Sequence, residues 1–294
     1  MAIPTAPTAT TIVTEALKRA LNGATPSAAE ITRATDYGLE NVKREIMSIC
    51  RQWTPLITIA YDITSEGTSK YDNPQDLEEY LSVILMDGDH SGALSAVTST
   101  SSVTLATDED VSEDEAEGKE LLITSGTGVD QSVQIGDYNT TTKVCTMAEA
   151  YGTLCVAADG YLICDDFREL IKKPMYKRNQ EQFFGKKEKP THYFPVADAD
   201  YGYIQLYPVP DDTYGLKKIY FADLRRIDLT ATIYSTLLRR WAMVLEQGVY
   251  VWKLSEDDDR YTREYQKYQK MLADLRSRDS YDMDIDELQM TVSA

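Results

Sequence analysis

The chain has 294 residues, 43 % hydrophobic and 27 % charged, which is enough to bury one large core or two modest ones and is ordinary for a globular protein in water. Its formal net charge of −18 argues against a protein that grips nucleic acid, because counterion release needs Lys and Arg facing phosphates. The same charge fits a surface past which DNA slides without sticking. No apolar run approaches the ~20 residues of a membrane span, the longest being Leu81 to Met86.

The lead Met1-Ala-Ile-Pro-Thr-Ala-Pro-Thr-Ala-Thr has neither a basic region nor an apolar stretch, so it reads as a short disordered segment rather than an export signal. Ile12, Val13, Ala16, Leu17, Ala20 and Leu21 recur at helical spacing, and Asn22-Gly23 supplies a stop. Ser27 with Glu30 fits a capping box, after which Leu39, Val42, Ile46, Ile49 and Trp53 line one helical face as far as Pro55. Ile57, Ile59, Tyr61 and Ile63 alternate as a strand does. Tyr71-Asp-Asn-Pro-Gln-Asp-Leu-Glu-Glu reads as a Pro-started helical turn leading into Leu81–Met86.

Helical periodicity stops at Gly88. Val103-Thr-Leu, Leu121-Leu-Ile-Thr, Ser132-Val-Gln-Ile, Lys143-Val-Cys-Thr and Tyr161-Leu-Ile-Cys are short β-prone runs parted by turn clusters, the pattern of a small sandwich or barrel. Helical signal returns at Asp165 and breaks at Pro174. Strand-like stretches follow at Thr191–Val196, Tyr203–Tyr207 and Leu216–Phe221. Two helical stripes come next, Ile233, Leu237, Trp241, Leu245, Val249, Trp252 and then Tyr261, Tyr265, Tyr268, Leu272, Leu275. At the end Tyr281, Met283 and Ile285 alternate with Asp282, Asp284 and Asp286, which would place three apolar side chains on one face of an extended arm.

Enzymatic signatures are missing: the sequence has no P-loop, G-x-G-x-x-G, G-x-S-x-G or H-E-x-x-H. Ser125-Gly-Thr-Gly lacks the following Lys-Ser/Thr of a phosphate loop and reads as a hairpin turn. Asp108-Glu-Asp-Val-Ser-Glu-Asp-Glu lacks EF-hand spacing and reads as a solvated loop, with calcium the alternative. Two histidines, His90 and His192, leave little material for a zinc site or His-based catalysis. Cys50, Cys145, Cys155 and Cys164 form no C-x-x-C pair and are expected to be reduced, mostly buried thiols. The pairs Lys172-Lys173, Lys177-Arg178, Lys186-Lys187, Arg225-Arg226 and Arg239-Arg240 are spread over several elements, not gathered on one as in a DNA-binding face. Tyr far outnumbers Phe, a weak pointer to an assembly protein.

The order helix, helix, strand, Tyr71-Asp-Asn-Pro-Gln-Asp-Leu, Pro190-Thr-His-Tyr-Phe, then Ile204-Gln-Leu-Tyr-Pro-Val-Pro-Asp-Asp-Thr-Tyr resembles head-to-tail adaptor (connector or neck) proteins of tailed bacteriophages, over residues 10 to 86 and 166 to 277 in outline. Leu122-Ile-Thr-Ser-Gly-Thr-Gly to Lys143-Val-Cys-Thr is similar to a β-module of phage structural proteins. Where those modules continue with a Trp-containing segment, this chain has Ala150-Tyr151-Gly152.

The resemblance implies a non-enzymatic virion protein without cofactor or metal, made in the host cytoplasm and placed in the neck. It would form a ring of identical subunits, usually twelve, between the portal protein and tail or nozzle proteins, with genome DNA passing through, no specific nucleic-acid binding and no membrane. The fold expected is α+β: a helical adaptor core of long helices with a few antiparallel strands at residues 1–87 and 165–294, an inserted all-β sandwich or barrel-like domain at 88–164, and a C-terminal arm at 279–294. Tyr281, Met283 and Ile285 are the expected partner contacts of that arm. The alternatives are another virion or tail component with a glycan- or receptor-binding β domain, and a hydrolase with unrecognised carboxylates.

Overall fold

The computed structural model describes residues 8–49, 57–174, 186–196, 202–225, 238–254 and 258–279. The chain divides into two compact units, residues 1–57 with 221–294, and residues 58–220.

The first unit is helical. Helix α1 (Ala9–Ala20) starts where the Thr8 side chain accepts the Thr11 N–H, and it buries Ile12, Val13, Ala16, Leu17 and Ala20 along one stripe. It ends at Asn22, whose φ of 55° is left-handed, with Gly23 N–H returned to Lys18 O. Helix α2 (Ala28–Arg33) opens with the Ser27–Glu30 capping box, continues through a π-helical turn at Ala34–Leu39 and becomes α3 (Glu40–Ile49). Leu39, Val42, Ile46 and Met47 are buried. Helices α5 (Leu238–Lys253) and α6 (Tyr261–Asp279) belong to the same unit. Val42 methyls lie 2.7 Å from where a Cβ on Gly248 would stand, so α3 and α5 meet backbone to side chain. Arg260 ties α6 to α1, donating to the Asn22 side chain and to Ala20 O while paired with Asp258.

The second unit is built of β-structure. Among the described residues fifteen strands form sheets of four, seven and four: β1-β15-β3-β11, β4-β10-β7-β8-β9-β6-β5 and β12-β13-β14-β2. Their ranges are β1 Ile57–Ile63, β2 Lys70–Asp72, β3 Leu77–Asp87, β4 His90–Ala93, β5 Ala96–Ser99, β6 Ser102–Thr104, β7 Glu120–Ile123, β8 Gln131–Asn139, β9 Val144–Met147, β10 Gly160–Cys164, β11 Asp166–Glu169, β12 Ile171–Lys172, β13 His192–Val196, β14 Tyr203–Tyr207 and β15 Gly215–Ala222. The single helical turn among them is α4 (Glu113–Ala116).

This overturns the α+β expectation of a helical core with long helices: the protein is mostly β-sheet, and α4 is the one helical turn among the described residues of its larger compact unit. Two misread segments account for much of the difference. Pro74 opens a tight turn, with Leu77 N–H on Pro74 O, and the residues after it run as the eleven-residue strand β3. Tyr80, Val83, Leu85 and Met86 on β3 are buried. Likewise Asp165–Lys172, read as helix, forms β11 on β3 and β12 parallel to β13. In both segments pairing with distant strands overrides local pattern, because a sheet supplies backbone partners that propensity cannot anticipate.

The seven-stranded sheet takes every strand from His90–Cys164. Its two edge strands, β4 and β5, are consecutive in the chain and separated only by Leu94 and Ser95. The three steps from Ala93 to Ala96 span at most about 11 Å, so the sheet curls until its edges approach, around a core of Leu94, Val103, Leu105, Leu121, Ile123, Ile135, Tyr138, Met147, Tyr151, Tyr161 and Ile163. The intervening residues of β7 and β10 face the other way. Leu122, Leu162 and Cys164 pack with Met86 of β3 and with Tyr61 and Ile63 of β1. Burial on both faces explains why Leu121-Leu-Ile and Tyr161-Leu-Ile-Cys are continuous apolar runs rather than alternating ones. The chain enters this module at Gly88, where a Cβ would stand 1.8 Å from Ile163 O, so only glycine fits.

Candidate functional site

The three segments that carry the adaptor resemblance come together. Tyr71 and Asp72 lie on β2, which pairs with β14, and β14 pairs with β13, so Ile204 faces Tyr71 across one ladder and Pro195 across the other. The Tyr-Asp-Asn-Pro-Gln-Asp segment acts through its polar side chains. Asn73 accepts the Tyr80 hydroxyl at 2.9 Å and Asp76 accepts the Tyr220 hydroxyl at 2.8 Å. Tyr80 meets Tyr193 and Tyr220 edge-on, with ring centroids 6.0 and 6.3 Å apart. Burial raises the Tyr80 phenol, and pushes that of Tyr193 up to about 12, so both are neutral, and Tyr80 donates to Asn73. Beside them the buried Lys218 ammonium donates to Asp62 at 2.9 Å and to Asp72 O at 2.8 Å, joining β15, β1 and β2. In the Pro208-Val-Pro-Asp-Asp turn, Pro210 O accepts Gly67 N–H and Asp211 accepts the Tyr214 hydroxyl. The motif is thus a brace between strands, and much of the tyrosine surplus that pointed to assembly is spent inside this chain.

The Ser125-Gly-Thr-Gly loop joins β7 to β8 and wraps an anion, but one of its own. The Asp159 carboxylate accepts N–H groups from Thr127, Gly128 and Val156 at 3.1, 3.0 and 3.0 Å. Burial raises this carboxyl, and the three backbone donors outweigh that and hold it below its usual range. A Cβ on Gly126 would fall 1.9 Å from an Asp159 oxygen, so the tight loop and the buried aspartate require one another.

The acidic stretch is not uniformly solvated. Asp108 and Asp110 are exposed, but the Glu109 side chain is buried and accepts the Tyr161 hydroxyl at 2.5 Å, with His90 Nδ1 2.9 Å from its other oxygen. Burial raises Glu109, while hydrogen bonds from Tyr161 and His90 outweigh it and hold the carboxyl below its usual range. Ser112 and Glu115 form a second capping box that starts α4. A further carboxylate group, Glu113, Glu117 and Asp137, is wholly exposed. Sequence spacing missed the His90–Glu109 contact because the two meet only when β4 pairs with β10.

Several basic residues of the sequence clusters are matched within the chain. Lys186 pairs with Glu188, Lys187 with Glu66 and Arg225 with Asp223, and nearby Lys189 pairs with Asp87 and Asp166. Cys145, Cys155 and Cys164 are free and buried, and burial pushes the Cys145 thiol up to about 12; Cys50 lies outside the described residues. The aromatics of the β-module, Tyr138, Tyr151 and Tyr161, are all buried, so the module offers no aromatic surface for stacking a sugar. No helix among the described residues is long and apolar enough to cross a membrane. Tyr281, Met283 and Ile285, the expected arm contacts, lie outside the described residues. Neither a family model nor a curated protein matches the chain.

Proposed function

We propose that the chain is a non-enzymatic virion protein of a tailed phage, forming a ring that joins the portal to the tail and lets genome DNA pass. The observation that carries this reading is that β2, from the first resemblance segment, pairs with β14 of the consecutive, antiparallel pair β13–β14 formed by the other two, far along the chain. An ordered set of weak motifs gains weight when its members build one structural element. The internal pairing of Lys186, Lys187, Lys189 and Arg225 also supports it, since cations spent on carboxylates are not offered to phosphates.

Ring assembly is the test. Subunits of net charge −18 repel one another, so the purified chain is expected to be monomeric or weakly associated at micromolar concentration and to form rings on portal-bearing heads. Electron microscopy of neckless heads mixed with the chain reads this directly. Heads left bare, under conditions in which necks otherwise form, would overturn the adaptor reading. Within that reading, Tyr281, Met283 and Ile285 are the anchoring face of a C-terminal arm that adds a strand to a partner's sheet edge. Truncation after Ser280, or Met283→Asp with Ile285→Asp, is expected to weaken attachment to heads, whereas Asp282→Asn with Asp284→Asn matters much less.

A further inference from the structure

We infer that His90, Glu109 and Asp110 form a binding site for a transition-metal dication, zinc being the type case, and that the bound ion clasps the segment between β6 and α4 onto strand β4. His90 is the first residue of β4; Glu109 and Asp110 lie in the acidic stretch before α4. The His90 Nδ1 atom stands 2.9 Å from Glu109 Oε1 and 3.5 Å from Asp110 Oδ1, and the three ligand atoms lie within 4.8 Å of one another. Adjacent ligands on an ion with bonds of ~2.0–2.2 Å are themselves separated by about 3.0–3.5 Å, which is close to the separations of both carboxylate oxygens from Nδ1.

The site is built rather than incidental. Glu109 Oε2 is occupied by the buried Tyr161 hydroxyl, which fixes the carboxylate and leaves Oε1 to converge with the imidazole. Tyr161 is itself anchored, accepting Ala106 N–H and lying against Gly92 of β4. The N–H groups of Asp110 and Val111 also point at Oε1, setting the bend that brings Asp110 alongside its neighbour. The short approach of Nδ1 to Oε1 is met either by a hydrogen on Nδ1, which donates to the carboxylate, or by a metal ion that takes the Nδ1 lone pair together with both carboxylates.

Chemistry selects the class of ion. One imidazole nitrogen with two carboxylates suits zinc, nickel or copper, whereas calcium and magnesium call for six or more oxygens. The side chains are graded in exposure, 5 % for Glu109, 24 % for His90 and 92 % for Asp110, so the remaining coordination positions open to water on the Asp110 side. The wholly exposed Glu113, Glu117 and Asp137 lack the imidazole and the buried anchor.

Zinc titration of the full-length, chelator-treated chain tests this, by calorimetry and by thermal unfolding, with Co2+ as the spectroscopic probe. The expected result is one equivalent per chain, a Tm that climbs with zinc concentration, and a visible Co2+ band. Asp110→Asn alters an exposed side chain and leaves the fold in place; it and His90→Gln are each expected to weaken binding about tenfold or more. His192→Gln is expected to change nothing. Wild-type protein that takes no zinc at millimolar concentration, or binding unaltered in both Asp110→Asn and His90→Gln, would overturn the assignment. So would saturation by Ca2+ in place of zinc, which would point to the acidic groups alone. None of these outcomes depends on whether the chain binds phage heads.

Discussion

The seven-stranded module and the two four-stranded sheets are made of similar strands but were not equally legible. Every strand of the module lies between His90 and Cys164, and its neighbours β7, β8 and β9 are also consecutive in the chain. The four-stranded sheets join strands from opposite ends of the 58–220 unit, such as β2 with β14 and β3 with β15. Pairing that is local leaves its mark as turn clusters between β-prone runs, whereas distant pairing leaves none. The difference teaches that a segment's length of helix-compatible pattern says little once a remote strand offers it a ladder.

The seven-stranded sheet and the β1-β15-β3-β11 sheet meet at an apolar seam. Leu122 and Leu162 show no cue to their role beyond being apolar, yet they cover Met86, Tyr61 and Ile63. Leu122→Asp buries a charge with no partner and is expected to cost on the order of 4 kcal/mol or more. Leu81→Asp, on the more exposed face of β3, is expected to cost far less. Denaturant midpoints compare the two. Equal midpoints would mean that the module folds without regard to β3.

A smaller effect sharpens the local side. Asp159→Ala leaves the N–H groups of Thr127, Gly128 and Val156 without their carboxylate and is expected to cost on the order of 3 kcal/mol. Because the folded carboxyl lies below its ordinary value, its contribution is complete above the usual carboxylate range and is lost as pH falls through the depressed folded value. Acid unfolding of wild type against Asp159→Asn reads this: the wild type's advantage should shrink only at the acid end. An advantage constant down to pH 2 would contradict the loop geometry.

The smallest effect is chemical rather than energetic. Cys145 and Cys155 belong to the module's core and Cys164 to the seam, and burial raises all three thiols. In a Cys50→Ser background, a thiol reagent at neutral pH is expected to label none of them in the folded chain and all three after unfolding. If Cys164 alone reacts early, the seam opens before the module's core does.

Individual residues show where legibility ended. The Ser27–Glu30 capping box, the Asn22-Gly23 stop and the buried stripe of α1 were readable because helix periodicity and caps involve neighbours within four residues. Ser125-Gly-Thr-Gly was legible as a turn between strands, but not that it encloses Asp159. Glu109 looked like one carboxylate among many, since nothing in its own stretch announces Tyr161 or His90. Tyr71-Asp-Asn-Pro-Gln-Asp misled for the same reason: Pro74 and the acids after it resemble a helix start, while Asn73 and Asp76 serve tyrosines on β3 and β15.

Local sequence is enough to specify the helices α1 to α3, the short β-prone runs between Gly88 and Cys164, and the acidic balance of the chain. Only tertiary structure decided that β predominates, that the edges of the seven-stranded sheet approach one another around a common core, and that His90 stands against Glu109. The physical reason is range: helix hydrogen bonds and caps close over a few residues and are written where they act, whereas a sheet's bonds and a buried carboxylate's partners come from whichever distant segment the fold brings alongside.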